Sequence, residues 1–353
     1  MYVRNCWYVA AWDHELKAGE VISRSIINEP VALYRAQDGA IVGLADRCCH
    51  RLAPLSLGRI EGDDLRCMYH GLKFNRSGAC VEIPGQDMIP ATACVRSYPV
   101  VQKHSWIWVW MGDPAKADEA LIPPAVGFED PNWTLRSGHM DYEANYLLIN
   151  DNLTDFTHLT YVHANSFGAS EVFARTRPNV ERLDRGIRVW RWIADGVRDA
   201  KAAPHRRAEG DNWQTYDYLA PGILLMHTAV CPEGTAKRFD YKPPDLSQVE
   251  VLADNFTSQA VTPMTDGTSR YFFSWGPRAA AGSDAVADVM LGVANMAFNE
   301  DKAMIQAQQK VVDANPGVKP VLTSADVGPM LMRSVIERMI AAEAAPAAAS
   351  AAA

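Results

Sequence analysis

Two short stretches, Cys48-Cys49-His50-Arg51-Leu52-Ala53-Pro54-Leu55 and Arg66-Cys67-Met68-Tyr69-His70-Gly71-Leu72, constrain this chain more than anything else in it. They read C-x-H, then sixteen residues, then C-x-x-H. Each stretch offers one thiolate and one imidazole. A zinc finger usually groups its ligands by type, two Cys and then two His, around a single tetrahedral ion. Mixed pairs on two matched loops suit a [2Fe–2S] cluster with unlike ends, two Cys on one iron and two His on the other.

Such a Rieske-type centre needs only a small module, and 353 residues leave room for a second domain. Ten Trp and twelve Tyr fit broad sheets and apolar cavities better than a helical bundle. A net charge of −8 disfavours a nucleic-acid partner. The N-terminus, MYVRNCWYVAAWDHEL, has no long apolar run, which argues against a signal peptide, and no later run is long enough to span a bilayer. A cytoplasmic protein without a membrane partner is expected. Its seven Cys then read as reduced thiols or metal ligands. Cys6, Cys80, Cys94 and Cys231 stand alone and are read as buried packing residues.

Along the first third, short apolar runs such as Val31–Tyr34 and Ile41–Ala45 alternate with turns at Gln37–Ala40 and Asn75–Gly78, the texture of an antiparallel β domain. Trp106, Trp108 and Trp110 alternate along one strand and are expected to face a core. Gly112-Asp113-Pro114 and Ile122-Pro123-Pro124 mark a linker, with residues 115–140 leading into a second domain. Strand-like runs return between 180 and 280, at Ile187–Trp192, Gly222–His227, Val249–Ala253 and Ser269–Trp275, and suggest an open antiparallel sheet. Helices are expected over Ala285–Asp313 and Ser324–Glu343, the latter capped by Ser324 or Asp326. The domains are read as 1–114, 115–345 and a disordered Ala-rich tail, 346–353.

A second constellation lies in Asn152-Leu153-Thr154-Asp155-Phe156-Thr157-His158-Leu159-Thr160-Tyr161-Val162-His163. Asn152, Asp155 and His158 are three apart and would share one strip of a helix. His163 falls about 140° further round at 3.6 residues per turn, so the helix must loosen or end if both His are to hold one metal. Thr157, Thr160 and Val162 are poor helix formers, and Asn165 and Gly168 offer stop signals.

The two signatures in one chain, in this order, resemble the Rieske non-haem iron aromatic oxygenases. Cys48-Cys49-His50-Arg51-Leu52-Ala53-Pro54-Leu55-Ser56 and Tyr69-His70-Gly71-Leu72 look most like the vanillate and dicamba O-demethylase branch. The resemblance implies an α+β fold: an N-terminal all-β Rieske domain, then a helix-grip-like catalytic domain with an antiparallel sheet and covering helices. It implies that Cys48 and Cys67 bind one cluster iron and His50 and His70 the other. It places the family's N-x-x-D-x-x-H-x4-H pattern on Asn152, Asp155, His158 and His163. The late helical carboxylate falls at Phe298-Asn299-Glu300-Asp301-Lys302, with Asp301 preferred to Glu300. His158, His163 and Asp301 would form a 2-His-1-carboxylate face for Fe(II). Cys49 stands where the family has Pro, and is read as a non-ligand.

The resemblance further implies a terminal oxygenase that takes O₂ and a small aromatic substrate and performs oxidative O-demethylation or N-dealkylation. Aromatic ring or methyl-group hydroxylation is the alternative. Electrons would come from NAD(P)H only indirectly, through a separate reductase or ferredoxin. Asp155 would accept the second N–H of His158 and, in a homotrimer, reach His70 of the partner subunit. Arg47, Arg51, Arg59, Arg66, Lys73 and Arg76 outnumber Asp46, Glu61, Asp63 and Asp64 by two, a basic rim expected to steer an acidic donor. Leu153, His227, Gln259, Phe273 and Trp275 are the expected pocket residues. His14, His104, His139 and His205 are read as ordinary.

Overall fold

The computed structural model describes residues 1–167, 171–194, 210–280 and 282–344. The chain divides into two compact units. The first comprises Met1–Ile122 and Thr262–Asp266 with the chain from Glu343, and the second Pro123–Val261 and Gly267–Ala342. The Ala-rich tail, His205 and Gly168 lie outside the described residues.

The first unit is all-β. Its strands are β1 (Trp7–Trp12), β2 (Val21–Ile26), β3 (Glu29–Arg35), β4 (Ile41–Ala45), β5 (Arg59–Glu61), β6 (Asp64–Arg66), β7 (Lys73–Phe74), β8 (Cys80–Glu82), β9 (Ser97–Tyr98), β10 (Val100–Lys103) and β11 (Trp106–Trp110). They form three sheets ordered β1-β11-β10, β2-β3-β4-β9 and β5-β6-β7-β8. The indole stripe is buried as expected, but so are Ile107 and Val109 between its members. The strand is central in its sheet and covered on both faces. The rings of Trp7 and Trp12 from β1 lie 5.4 and 5.1 Å from those of Trp110 and Trp106. Cys6, Cys80 and Cys231 are buried, whereas Cys94 is exposed, a correction to its reading as packing. It sits on an isolated bridge with Ala79, outside any strand that could cover it.

The second unit is built on a seven-stranded sheet. Its strands are β12 (Arg136–Tyr142), β13 (Asn179–Leu183), β14 (Gly186–Ile193), β15 (Asp211–Leu219), β16 (Ile223–Cys231), β17 (Ala253–Thr265) and β18 (Thr268–Pro277), in the order β12-β18-β17-β16-β15-β14-β13. β12 closes one edge from within the stretch expected to be linker, pairing antiparallel with β18. The expected strand at Val249–Ala253 begins only at Ala253. Val249 and Val251 instead pack on the cluster of Trp192 and Trp213.

The helices of this unit are α1 (Tyr146–Thr154), α2 (Glu171–Arg175), α3 (Thr235–Arg238), α4 (Asp284–Ala314) and α5 (Val327–Ala344). Ser283 caps α4 by accepting from Val286 N. Thr323, rather than Ser324 or Asp326, caps the turn that leads into α5, and Asp326 completes a reciprocal box with it. The buried stripe of α4 runs Ala287, Met290, Ala294, Ala297, Phe298, Asp301, Ile305. That spacing turns one face inward. Phe298 meets Tyr271 and Phe273 of β18 at ring distances of 5.1 and 4.7 Å, so α4 covers the sheet face that carries those rings. Gln306 and Gln309 of α4 accept from the backbone N of Glu143 and Asn145, both at 2.9 Å, which sets the start of α1.

Candidate active site

Each cluster loop follows a strand and closes on itself in the same way. Cys48 N donates to Ala53 O and Leu52 N to Cys48 O; Cys67 N donates to Leu72 O and Gly71 N to Cys67 O. The fourth residue after each Cys is left-handed, Leu52 at φ 58° and Gly71 at φ 80°. The backbone motif is thus duplicated, although the imidazole sits two residues after one Cys and three after the other. Asp46 anchors the first loop, accepting from Ser56 N at 2.7 Å and from the hydroxyls of Ser23 and Ser56. Arg66 anchors the second, donating to Gly71 O at 2.7 Å while held by Glu61 and Glu82.

Cys48 and Cys67 are about 1 % exposed, with their thiols in hydrogen-bond reach of each other, and burial pushes the Cys48 thiol up to about 11. His50 and His70 are exposed, with ring centroids 4.6 Å apart. A sulfur end inside and an imidazole end outside is the donor asymmetry that a Rieske cluster requires. Cys49 packs beside this core without joining the four. The basic rim is weaker than the residue count suggests. Arg59, Arg66, Lys73 and Arg76 are tied up by Glu61, Glu82, Asp38 and Asp63. Two of those carboxylates, Asp38 and Glu82, lie outside the counted window. Arg47 and Arg51 remain as cations without an ion pair among the described residues.

In the second unit the ligand atoms of His158, His163 and Asp301 all lie within 4.8 Å of one another. The helix that was to carry Asn152, Asp155 and His158 ends at Thr154. Asp155 is extended at φ −129°, and its carboxylate accepts from Thr157 N at 2.8 Å, starting a new 3₁₀ turn, Phe156–Thr160, that carries His158. Committing that carboxylate changes its expected role. The backbone carbonyl of Asp155, not the side chain, takes the second N–H of His158, with Nδ1 at 2.5 Å. The Nε2 of His158 then faces Asp301 Oδ1 at 3.7 Å.

His163 is 1 % exposed and held at both nitrogens, Nδ1 3.0 Å from Glu300 Oε2 and Nε2 3.3 Å from Asp301 Oδ2. Burial works to lower its pKa, but the hydrogen bonds with Asp301 and Glu300 outweigh burial and raise it. For His158 burial dominates and lowers the pKa, with Asp301 opposing. Asn152 Nδ2 donates to Asp301 Oδ1 at 3.0 Å. Of the two adjacent carboxylates, Asp301 lies on the inward stripe of α4, while Glu300 grips His163 from behind and accepts from Ser166 Oγ at 2.6 Å. Sequence reasoning left the part played by Glu300 open and missed Ser166. Neither has a local signature, because each acts through an imidazole distant in the chain. Two imidazole nitrogens and a carboxylate, each with its outer hydrogen bond made, suit a divalent iron.

The expected pocket residues separate by strand parity. Trp275 donates to Asn255 Oδ1 at 2.7 Å, which puts Phe273, Trp275, Asn255, Thr257 and Gln259 on the face that α4 covers. Trp275 reaches the metal ligands through Phe167, 5.9 Å from Trp275 and 5.0 Å from His163. Leu153 is buried in α1 beside Asn152. His227 points the other way. It contacts Asp254 at 3.2 Å and Trp133 on the opposite face of the sheet, beside a cleft of about 560 Å³ that also takes Trp190, Trp213 and Phe256. A one-residue difference in strand parity decides the face, so His227 is no part of the iron pocket.

A buried thiol pair with two exposed imidazoles, and a His-His-Asp face in a second unit, define a Rieske-type non-haem iron oxygenase. Residues 6–99 match the Rieske [2Fe-2S] domain, and residues 142–342 match the vanillate O-demethylase oxygenase C-terminal domain. The chain belongs to this family of oxygenase components and is an oxidoreductase of the Rieske monooxygenase type. It is 40% identical over 348 residues to the toluene-4-sulfonate monooxygenase system iron-sulfur subunit of Comamonas testosteroni, covering 97% of this chain and 98% of that one. It is 35% identical to the dicamba O-demethylase oxygenase component of Stenotrophomonas maltophilia, covering 98% and 99%. Crystalline dicamba monooxygenase bound to 3,6-dichlorosalicylic acid superposes with a TM-score of 0.85 at 33% identity, over 98% of this chain and 99% of that one. The same enzyme has been solved with non-haem iron. The cofactors of the class are accordingly one Rieske [2Fe–2S] cluster and one mononuclear non-haem iron. No described helix is long and apolar enough to cross a membrane.

Proposed function

We propose that this chain is a terminal oxygenase for a small substituted aromatic, working in the cytoplasm with a separate ferredoxin or reductase that draws on NAD(P)H. The observation that carries this reading is the presence of both donor sets in one chain: Cys48, Cys67, His50 and His70 as cluster ligands, and His158, His163 and Asp301 as iron ligands. When bound, the cluster supplies single electrons and the mononuclear iron supplies O₂-dependent oxidation of a substrate C–H bond. The protein fixes the geometry. The Asp155 carbonyl and the Glu300 carboxylate hold the two Nδ1 protons, so both Nε2 lone pairs face inward. Asn152 keeps Asp301 from turning away. Trp275, Phe273, Gln259 and Leu153 wall the substrate side. Hydroxylation of a methoxy or N-alkyl carbon then gives a hemiacetal or carbinolamine, which collapses with loss of an aldehyde.

Methyl-group hydroxylation is the second reading. It is favoured by the 40%-identical relative, named for a toluenesulfonate that carries a C-methyl rather than an O-methyl group. Loaded enzyme with a surrogate reductase and ferredoxin separates the two: aldehyde released from methoxy- or N-alkyl-arenes supports dealkylation, and a benzylic alcohol from methylarenes supports hydroxylation. Neither product from either set would sink both.

In a homotrimer the half-buried carboxylate of Asp155, which accepts from Thr157 N and leaves His158 to the backbone carbonyl, would reach His70 of the partner subunit. Asp155→Ala should keep the cluster's visible spectrum and lose turnover; normal activity would end the bridge. For the donor, Arg47 and Arg51 flank His50, with exposed Leu52, Met68 and Tyr69 nearby in the same two loops. Reduction rates that ignore ionic strength would exclude steering by those two arginines.

A further inference from the structure

On the sheet face turned away from the iron ligands, His227 is built into a fixed arrangement that the oxygenase chemistry does not use. Its Nε2 lies 3.2 Å from Asp254 Oδ2. That carboxylate is buried and ion-paired with Arg278, whose Nε and Nη2 lie 2.8 and 2.6 Å from the same oxygen. A carboxylate so held only accepts, so the Nε2 of His227 carries the proton between them. Burial pushes the His227 pKa down, against the pull of Asp254, and the ring is neutral at pH 7. Its Nδ1 is therefore a bare acceptor, and no described residue donates to it. The ring is also locked in orientation. Trp133 meets it edge-on at 5.6 Å, and Arg278 in turn lies 4.6 Å from the Trp133 ring centroid.

His227 lines the cleft of about 560 Å³, a size that suits a small molecule. Strand parity builds the walls. Trp190, Thr215 and Phe256 are joined to His227 by consecutive register pairs across β14 to β17, so all four share this face. All four are only half-buried, which leaves aromatic surface uncovered beside a free acceptor. Flat aromatic walls favour a flat ring as occupant. Charge narrows the class further. The charged residues of the cleft are Glu181, Asp217 and Asp245 against Arg188 alone, and Arg188 is spent on Asp217 at 2.7 and 2.8 Å. That excess of two carboxylates repels an anionic ring. What fits is a ring that brings an O–H or N–H donor and no negative charge.

We propose that this cleft is a second small-molecule site, separate from the iron pocket, for a neutral arene bearing a hydroxyl or amino group. The ring lies against Trp190 and Phe256, and its donor meets the Nδ1 of His227. The site stands on the geometry of the far face alone and does not depend on the oxygenase reading.

The test is calorimetric binding of 2-naphthol, 2-methoxynaphthalene and 2-naphthoate to iron- and cluster-loaded enzyme. The probes share one ring system and carry a donor, no donor, and a negative charge respectively. Trp190→Ala marks the cleft: it should weaken the naphthol by about 10-fold and leave the naphthoate, whatever site that takes, unchanged. His227→Phe should cost the naphthol about 10-fold, the worth of one hydrogen bond, and spare the methyl ether. A naphthol affinity untouched by either substitution would overturn the proposal, as would a naphthoate weakened alongside it. Should His227→Phe fail to fold, the wild type still decides: naphthol and ether binding equally would mean that His227 only packs against Trp133. Turnover enters none of these comparisons, so their failure leaves the oxygenase reading untouched.

Discussion

Glu300 holds the Nδ1 of His163 at 3.0 Å while its chain neighbour Asp301 faces the Nε2 of the same ring at 3.3 Å. Adjacent carboxylates on one helix thus serve the front and back of a single imidazole. They can do so because successive residues on a helix point about 100° apart at 3.6 residues per turn. Asp301 falls on the buried stripe and Glu300 on its flank.

Glu300→Ala leaves the back of His163 unheld and should weaken iron retention by about 10- to 100-fold, the usual cost of losing such a partner. Glu300→Gln keeps an acceptor and should lose less. Iron remaining after dialysis against a chelator, with the cluster spectrum as internal reference, reports it; equal retention in wild type and Glu300→Ala would contradict the assignment.

Gly328 of α5 lies where a Cβ would come within 2.4 Å of the carbonyl of Thr154, the last residue of α1. Gly328→Ala must push α5 off the helix end that precedes the iron ligands. We expect a loss of about 1–3 kcal/mol in stability, as for an overpacked core, seen as a lower urea midpoint. An unchanged midpoint would show that the contact yields freely.

The duplicated cluster loops offer an internal control. Gly71 is left-handed, and a Cβ there would sit 2.7 Å from Pro84 Cγ, so Gly71→Ala combines strain with a clash and should cost about 1–3 kcal/mol. At the matching position Leu52 already tolerates φ 58° and its side chain is exposed, so Leu52→Gly should change stability by less than about 1 kcal/mol. Thermal loss of the cluster's visible absorbance ranks the two variants.

Acid should loosen the second cluster loop. Arg66 holds the carboxyls of Glu61 and Glu82 down at about 2, against an ordinary 4.5. Because the folded values are depressed, their stabilising contribution is complete above about pH 4.5 and fades as pH falls toward about 2. Glu82→Gln should therefore be less stable than wild type at neutral pH, with the gap closing on acidification. Urea midpoints that differ by the same amount at every pH would contradict the linkage.

Much of the site was legible in the chain. Cys48, His50, Cys67 and His70 are local in sequence, and each loop closes through its own backbone, so spacing alone carries their arrangement. His158 and His163 are equally local, and the spacing already required the helix to break between them. That α1 ends at Thr154, before either histidine, was hidden, because Asp155 satisfies either a continuing helix or a new cap, and only the packed chain selects the cap. The charge count around the cluster misled because Asp38 and Glu82 approach from outside the window.

The sequence by itself therefore determined the all-β first unit and the family, and it brought forward the Cys/His and His/His candidates for the two sites, since these depend on residue type at short spacing. Tertiary structure alone decided that Glu300 grips the back of His163 and that His227 lies on the far side of the sheet. Each of those depends on which face a helix or strand turns inward. That is settled by how long-range neighbours pack, with free energies no short window of sequence contains.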